Sequence, residues 1–266
     1  MRIAVVGATG NIGKLTRSAL ERAGHDVVPI SRSHGVDALS GAGLAGALAG
    51  VHTVIDATNC TASLESENVR FFTTVTENLL EQGHRAGAGH HVTLSIAGVQ
   101  KVRGNAHYAG KRAQEAAVEA GDVPYTIVPA TQFHDFAAMA ASWSERDGVA
   151  EIAPLLIQPV APIEVAAVLA DVATGTPQGR HVDVAGPDPH DLVDMARRTY
   201  AARGVPIRLV PTWDGGIFDS TMAGDVLLPG ADARITSTSF DDWLAEERAR
   251  RHRTDRPPSR HGSRVR

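Results

Sequence analysis

The stretch VVGATGNIGKL, residues 5–15, joins an apolar run that starts at residue 2 to a segment carrying Ile12, Leu15, Ala19 and Ala23 for packing. Gly7, Gly10 and Gly13 thus fall, as GxxGxxG, on a turn that leads a strand into a helix. Glycine there permits backbone angles closed to other residues. The missing side chains let a pyrophosphate reach the amides of the helix N-terminus, where the helix dipole favours negative charge. A glycine pattern alone says little; its place between a strand and a helix is what ties it to dinucleotide binding.

The same punctuation repeats down the chain. RIAVVG is followed by a helical pattern in 11–23, HDVVPIS by a short Ala/Gly/Leu helix in 37–48, HTVIDA by 64–86, HHVTLS by 106–120 and YTIVPA by 132–143. Apolar runs of this length without alternation suit strands covered on both faces, and such β-helix-β connections make parallel neighbours. The expected fold is α/β, a doubly wound parallel sheet of the Rossmann kind with a small C-terminal substrate lobe. After residue 145 the rhythm loosens: IEVAAVLADVATG reads as a helix, GRHVDVAG as a strand and 189–203 as a helix. DGGIFDSTMAGDVLLPGA is glycine-rich and without period, a loop region able to cover a cleft. The expected division is a dinucleotide-binding core over 1–150, a part over 151–247 that completes the sheet and forms the lobe, and a disordered basic tail over 248–266.

At 266 residues the chain can bury one elaborated core but hardly two full domains. No apolar run approaches the roughly 20 residues of a membrane-spanning helix, so no membrane partner is expected. Cys60 is the single cysteine, which excludes an intrachain disulfide, and the sequence starts on a strand-like run without a leader pattern; both point to the cytoplasm. The net charge of −4 is uneven, because 248–266 carries +7, leaving −11 for residues 1–247. The tail is suited to touching nucleic acid or simply to solvation, and the acidic remainder argues against DNA binding as the main function.

The second apolar run ends in PISRS, where an NAD-selective fold usually has a carboxylate for the ribose hydroxyls. Ser31 and Arg32 stand there instead. A guanidinium can pair with a 2′-phosphate through two charge-assisted hydrogen bonds, and Ser31 or Ser33 can add a hydroxyl, so NADP is favoured over NAD. The third run ends in IDATNC, placing Ala57, Thr58 and Asn59 on the same edge to line the cofactor path. Cys60 has no identifiable partner and is left outside the site. His90 and His91 are neighbours on a strand and point to opposite faces, so they cannot share a metal, and no metal is expected.

The glycine loop, together with LSIAGV at 94–99, KRAQEAAVEAG at 111–121, PYTIVPATQFHDF at 124–136 and the later QPVAPIEVAAVLADVATG, resembles the NmrA-like, atypical short-chain dehydrogenase/reductase group over about residues 1–190. The resemblance implies an NADP-binding Rossmann core and a lobe that closes over a substrate cleft, in a group holding reductases, quinone oxidoreductases and dinucleotide-sensing regulators. Position by position, it assigns Gly7, Thr9, Gly10, Asn11, Ile12 and Gly13 to the dinucleotide loop and Arg32 to the basic position after the second strand. It assigns Ser95 to the substrate oxygen, Lys111 to the nicotinamide ribose, and Phe133 and His134 to the nicotinamide end of the cleft.

HYAGK, residues 107–111, departs from the pattern. Many short-chain reductases place a tyrosine four residues before the helical lysine, and here His107 holds that place while Tyr108 follows it. On a helix, positions three and four before a residue both lie near its face, so Tyr108 and His107 are both expected to approach Lys111, whose charge would favour tyrosinate and neutral imidazole. The function this implies is hydride transfer between NADPH and a small carbonyl, enone or quinone. A quinone needs a protein acid least, since its ring stabilises the oxyanion. The alternatives are a non-catalytic NADP-binding regulator, which would carry the same residues, and a dinucleotide-assisted isomerase.

Overall fold

The structure is a computed structural model and describes residues 1–214 and 217–254. Eight strands form one sheet in the order β2-β1-β3-β4-β5-β9-β12, with β8 also pairing β5, and every pairing in it is parallel. The strands are β1 (Arg2–Val6), β2 (Asp26–Ile30), β3 (Thr53–Asp56), β4 (His90–Ile96), β5 (Tyr125–Ala130), β8 (Gly179–Arg180), β9 (Val184–Ala185) and β12 (Arg234–Ile235). Because β2 and β3 flank β1 on opposite sides, the strand order reverses at β1, the place where open α/β sheets hold ligands. Val6 is level with Ile30 on one side and Asp56 on the other, so the loops after β1, β2 and β3 open on one edge.

Both faces of β1 are covered, which explains its unbroken apolar run. Ile3 and Val5 join Leu20 of α1 (Asn11–Arg22) and Val165, Leu169 and Val172 of α6 (Pro162–Thr174). Ala4 and Val6 join Leu44 and Leu48 of α2 (Leu44–Leu48) and Val75 and Leu79 of α3 (Glu65–Ala86). α3 lies against α4 (Ala106–Glu119), and Gly110 is what lets them approach: a Cβ there would sit 2.6 Å from a Phe72 ring carbon and 2.9 Å from the Asn68 Cβ. The glycine of HYAGK is therefore a packing requirement.

A third cluster lies beyond the sheet. It is built by α5 (Phe136–Ser144), α7 (Leu192–Arg203) and α8 (Phe240–Thr254), with two small sheets: β6 (Val149–Ile152) on β11 (Arg208–Pro211), and β7 (Leu156–Ile157) on β10 (His190–Asp191). Among the described residues no helix is long and apolar enough to cross a membrane.

Three expectations change. The helix expected in 37–48 spans only Leu44–Leu48, because Gly41 and Gly43 adopt φ of 77° and 80° and keep the preceding residues in turns. The helix expected from 132 begins at Phe136, residues 131–135 being loop. The tail expected to be disordered from 248 is helical to Thr254, and 255–266 lie outside the described residues. α8 has a reciprocal start: the Asp242 amide donates to Ser239 Oγ at 3.1 Å while the Ser239 amide donates to Asp242 Oδ2 at 3.2 Å. Phe240 and Leu244 are buried in the lobe, and a helix so nucleated propagates through arginine and alanine, both good helix formers.

Candidate functional site

The glycine loop is shaped by contacts that side chains would block. Gly7 has φ of 77°, and a Cβ on it would lie 2.6 Å from the Ala57 carbonyl oxygen; one on Gly13 would lie 2.1 Å from the Gly7 carbonyl oxygen. The loop is tied across the sheet edge by the Gly7 and Ala8 amides, which donate to Ile30 O at 3.0 and 3.2 Å. α1 begins at Gly10 without a side-chain cap, and its first internal bond runs from the Lys14 amide to Gly10 O at 3.0 Å. The amides of Asn11, Ile12 and Gly13 are therefore available to an anion, that of Gly10 being taken by Gly7 O. Thr9, Gly10 and Asn11 are exposed, while Ile12 is buried against the core, so that what Ile12 can offer is its amide. A cradle that any Cβ would fill, open to helix amides, fits a pyrophosphate.

Two strand ends flank the cradle. After β2, a short 3-10 turn spans Arg32–His34, and Arg32 is exposed and without an ion pair among the described residues. After β3, Ala57 and Thr58 are half-buried, with the Thr58 amide donating to Asp56 Oδ1 at 2.9 Å. Phe133 is half-buried and packs on the cluster that also holds Ala8, Ala57 and Leu94. The structure thus gathers Gly7–Gly13, Arg32, Ala57, Thr58 and Phe133 along one edge.

The residues expected to do proton chemistry are placed differently. Lys111 is buried, with Nζ 2.9 Å from Leu94 O, 2.9 Å from Gln114 Oε1 and 4.6 Å from the Phe72 ring centroid. Gln114 passes the link on to Asp56 Oδ2 at 2.8 Å. Burial pushes the Lys111 ammonium down to about 8, against the pull of Asp56 and Glu115. These contacts join β3, β4 and α4 from inside, the ribose contact being what the resemblance implied for this lysine.

Asn105 caps α4 by accepting from the His107 and Tyr108 amides at 3.0 and 3.1 Å, and donates to Ile217 O at 3.0 Å. From that start the two rings diverge. His107 packs edge-on against Phe72, ring centres 5.6 Å apart; burial, then the charge of Lys111, push its imidazole down to about 4, opposed by a hydrogen bond with the Cys60 backbone. Tyr108 turns into the lobe cluster, where its hydroxyl accepts from Gln132 Nε2 at 3.0 Å. Burial raises it to about 12, so the expected tyrosinate is replaced by a phenol.

Ser95 and His134 are also corrected. The Ser95 hydroxyl donates to Glu115 Oε1 at 2.6 Å, and Glu115 is held by both Arg180 nitrogens at 3.1 and 3.2 Å, which leaves Ser95 structural. His134 has no exposed surface: Nε2 lies 3.2 Å from Pro159 O, and Phe240 and Trp243 pack against the ring at 5.8 and 5.9 Å. Burial pushes it down to about 4, and it belongs to the core rather than to the cleft.

Sequence reasoning missed Asp56, Gln114, Glu115, Arg180 and Gln132. Gln132 lies inside the TQFHDF motif beside Phe133 and His134; the others meet only when α4 is laid on the sheet, Gln114 reaching Asp56 of β3 and Glu115 reaching Arg180 of β8. Among the described residues no three His, Cys, Asp or Glu side chains are grouped to hold a metal. A surface groove of about 410 Å³ between α3 and α4, lined by Glu77, Glu81, His84 and Arg85 among others, shares no residue with the cradle.

No protein-family model matches the chain, and no curated protein matches it either. Solved structures do. Triphenylmethane reductase of Citrobacter sp., complexed with NADP(H), aligns with a TM-score of 0.62 and 20% identity over 80% of this chain and 79% of that one. A dTDP-4-dehydrorhamnose reductase ortholog from Clostridium acetobutylicum reaches 0.73 at 15% identity, over 92% and 98%. An NADPH-dependent quinone oxidoreductase of Escherichia coli, complexed with NADPH, gives 0.62 at 17% identity, over 79% and 78%. These likenesses establish the Rossmann fold.

Proposed function

We propose that this Rossmann chain is an NADP-dependent oxidoreductase that moves hydride between NADPH and a small carbonyl, enone or quinone. The observation that carries the reading is the seam at Ile30, whose carbonyl takes the amides of Gly7 and Ala8 and so sets the phosphate cradle beside a turn that bears Arg32 and no carboxylate. The three solved neighbours named above are reductases, two of them seen with NADP(H) or NADPH, which supports the same reading. A cytoplasmic setting fits the lone, unpaired cysteine.

In this reading the amides at the start of α1 hold the pyrophosphate, Arg32 holds the 2′-phosphate, and Ala57, Thr58 and Phe133 flank the path to the nicotinamide. The bound cofactor supplies the hydride. Tyr108 is a buried phenol held by Gln132, and neither it nor His107 is tuned to deliver a proton near neutral pH. That favours a quinone, whose reduced oxygen can take its proton from water.

Replacing Arg32 by alanine is expected to weaken NADPH binding about ten- to a hundredfold, the worth of one good arginine-phosphate contact, and to leave NADH binding unchanged. Calorimetry reads this directly; equal losses for both dinucleotides would mean that Arg32 does not meet the 2′-phosphate.

The buried Lys111 and the phenolic Tyr108 also favour a second reading, a regulator that binds NADP and catalyses nothing. NADPH consumption with a panel of quinones and enones separates the two. Turnover supports the enzyme, and tight binding without turnover supports the sensor.

A further inference from the structure

The turn after β2 carries a second basic side chain, and its geometry is more ordered than an exposed turn requires. Ser31 Oγ lies 2.9 Å from Ser33 Oγ and 2.7 Å from His34 Nδ1. The backbone closes beneath them, with the His34 amide donating to Ser31 O at 2.9 Å and the Gly35 amide to Arg32 O at 3.1 Å. Gly35, at φ of 75°, ends the turn. With Ser31 Oγ as the donor to Nδ1, the ring carries its N–H on Nε2, and the Ser31 oxygen is left to accept from the Ser33 hydroxyl. His34 is exposed, and its Nε2 has no partner among the described residues.

The turn itself, Arg32–His34, contains no carboxylate. Asp37, the nearest carboxylate along the chain, is occupied: Oδ1 takes the Leu39 amide and Oδ2 the Ser40 hydroxyl, each at 3.0 Å. The glycine loop over 7–13 and helix α2 contain no charged residue. α3 reaches the segment after the turn through the Asn78 amide, which donates to Ala38 O and Leu39 O, and not through a charge.

We propose that His34, oriented by Ser31, is a second ligand for the 2′-phosphate of NADP beside Arg32, so that dinucleotide choice rests on a guanidinium and an imidazole held on one turn. The proposal rests on the dinucleotide reading above. Two donors approaching from different residues discriminate a phosphate from a hydroxyl better than one does, because the hydroxyl leaves both without a charged partner. A ring already fixed by Ser31 also loses little freedom on binding.

The test uses adenosine 2′,5′-bisphosphate and adenosine 5′-monophosphate, which differ by the 2′-phosphate, titrated by calorimetry into the full chain. His34→Ala is expected to weaken the bisphosphate about tenfold, as for the loss of one hydrogen bond to a charged group, and to leave the monophosphate unchanged. Ser31→Ala keeps the ring but frees it, and the expected loss is smaller. His34→Gln, which retains an N–H donor, recovers part of the affinity. A bisphosphate affinity untouched by His34→Ala overturns the proposal. Failure of the unaltered protein to bind either probe overturns the dinucleotide reading itself and the proposal with it.

Discussion

Gly13→Ala is expected to cost about 3 kcal/mol of stability or more, the range of severe overpacking, and to abolish measurable dinucleotide binding. The added Cβ would lie 2.1 Å from Gly7 O and 2.7 Å from the Gly7 carbonyl carbon, both backbone atoms with no rotamer to yield. Gly7 cannot retreat easily: its amide is bound to Ile30 O, its carbonyl accepts the Gly10 amide at 2.8 Å, and Ala57 O stands against its other side. Relief must come from lifting α1 off the loop, which moves the helix amides away from where a pyrophosphate would sit. Thermal unfolding and calorimetry together check this. An unchanged melting temperature would mean that the loop is slacker than its hydrogen bonds imply.

Lys111→Ala is the other large effect, and it separates the observed role of this lysine from the ribose contact that the resemblance implied. The substitution leaves Leu94 O and Gln114 Oε1 without a donor and opens a hole under Phe72, a loss of about 3 kcal/mol for orphaned buried groups plus a cavity. The pH dependence gives an independent signature. Burial lowers the Lys111 ammonium to about 8 in the folded chain, below its unfolded value, so between those two values the unfolded state binds more protons. The Lys111 contribution to stability therefore rises with pH from about 8 upwards, and denaturant unfolding of Lys111→Met should lack that slope. The protein that remains folded is expected to keep most of its NADPH affinity. A variant of undiminished stability that no longer binds NADPH would restore the ribose role.

The sheet was legible because its strands are covered on both faces, and no partner distant in sequence is needed to explain why Ile3, Ala4, Val5 and Val6 are all apolar. The glycine loop was legible for a similar reason, since Gly7 and Gly13 answer to backbone a few residues away or on the next strand. Side-chain direction was less so. Helical spacing placed His107, Tyr108 and Lys111 near one another, but how α4 is turned on the sheet depends on Gly110 meeting Phe72 and on the Asn105 cap. Those contacts send Lys111 inward and Tyr108 into the lobe. His134 is covered by Phe240 and Trp243, more than 100 residues later in the chain, which no local pattern reveals. Ser95 shares its strand face with His91 and Thr93, both buried, and the structure shows that α4 covers that face through Glu115.

The proposed function requires one sheet edge to join a phosphate cradle to a turn selective for NADP. Titrating the unaltered protein with NADPH and with NADH tests it most directly. The predicted result is NADPH binding at least about tenfold tighter, the minimum worth of a single charged contact to the 2′-phosphate; equal affinities, or tighter binding of NADH, would contradict it.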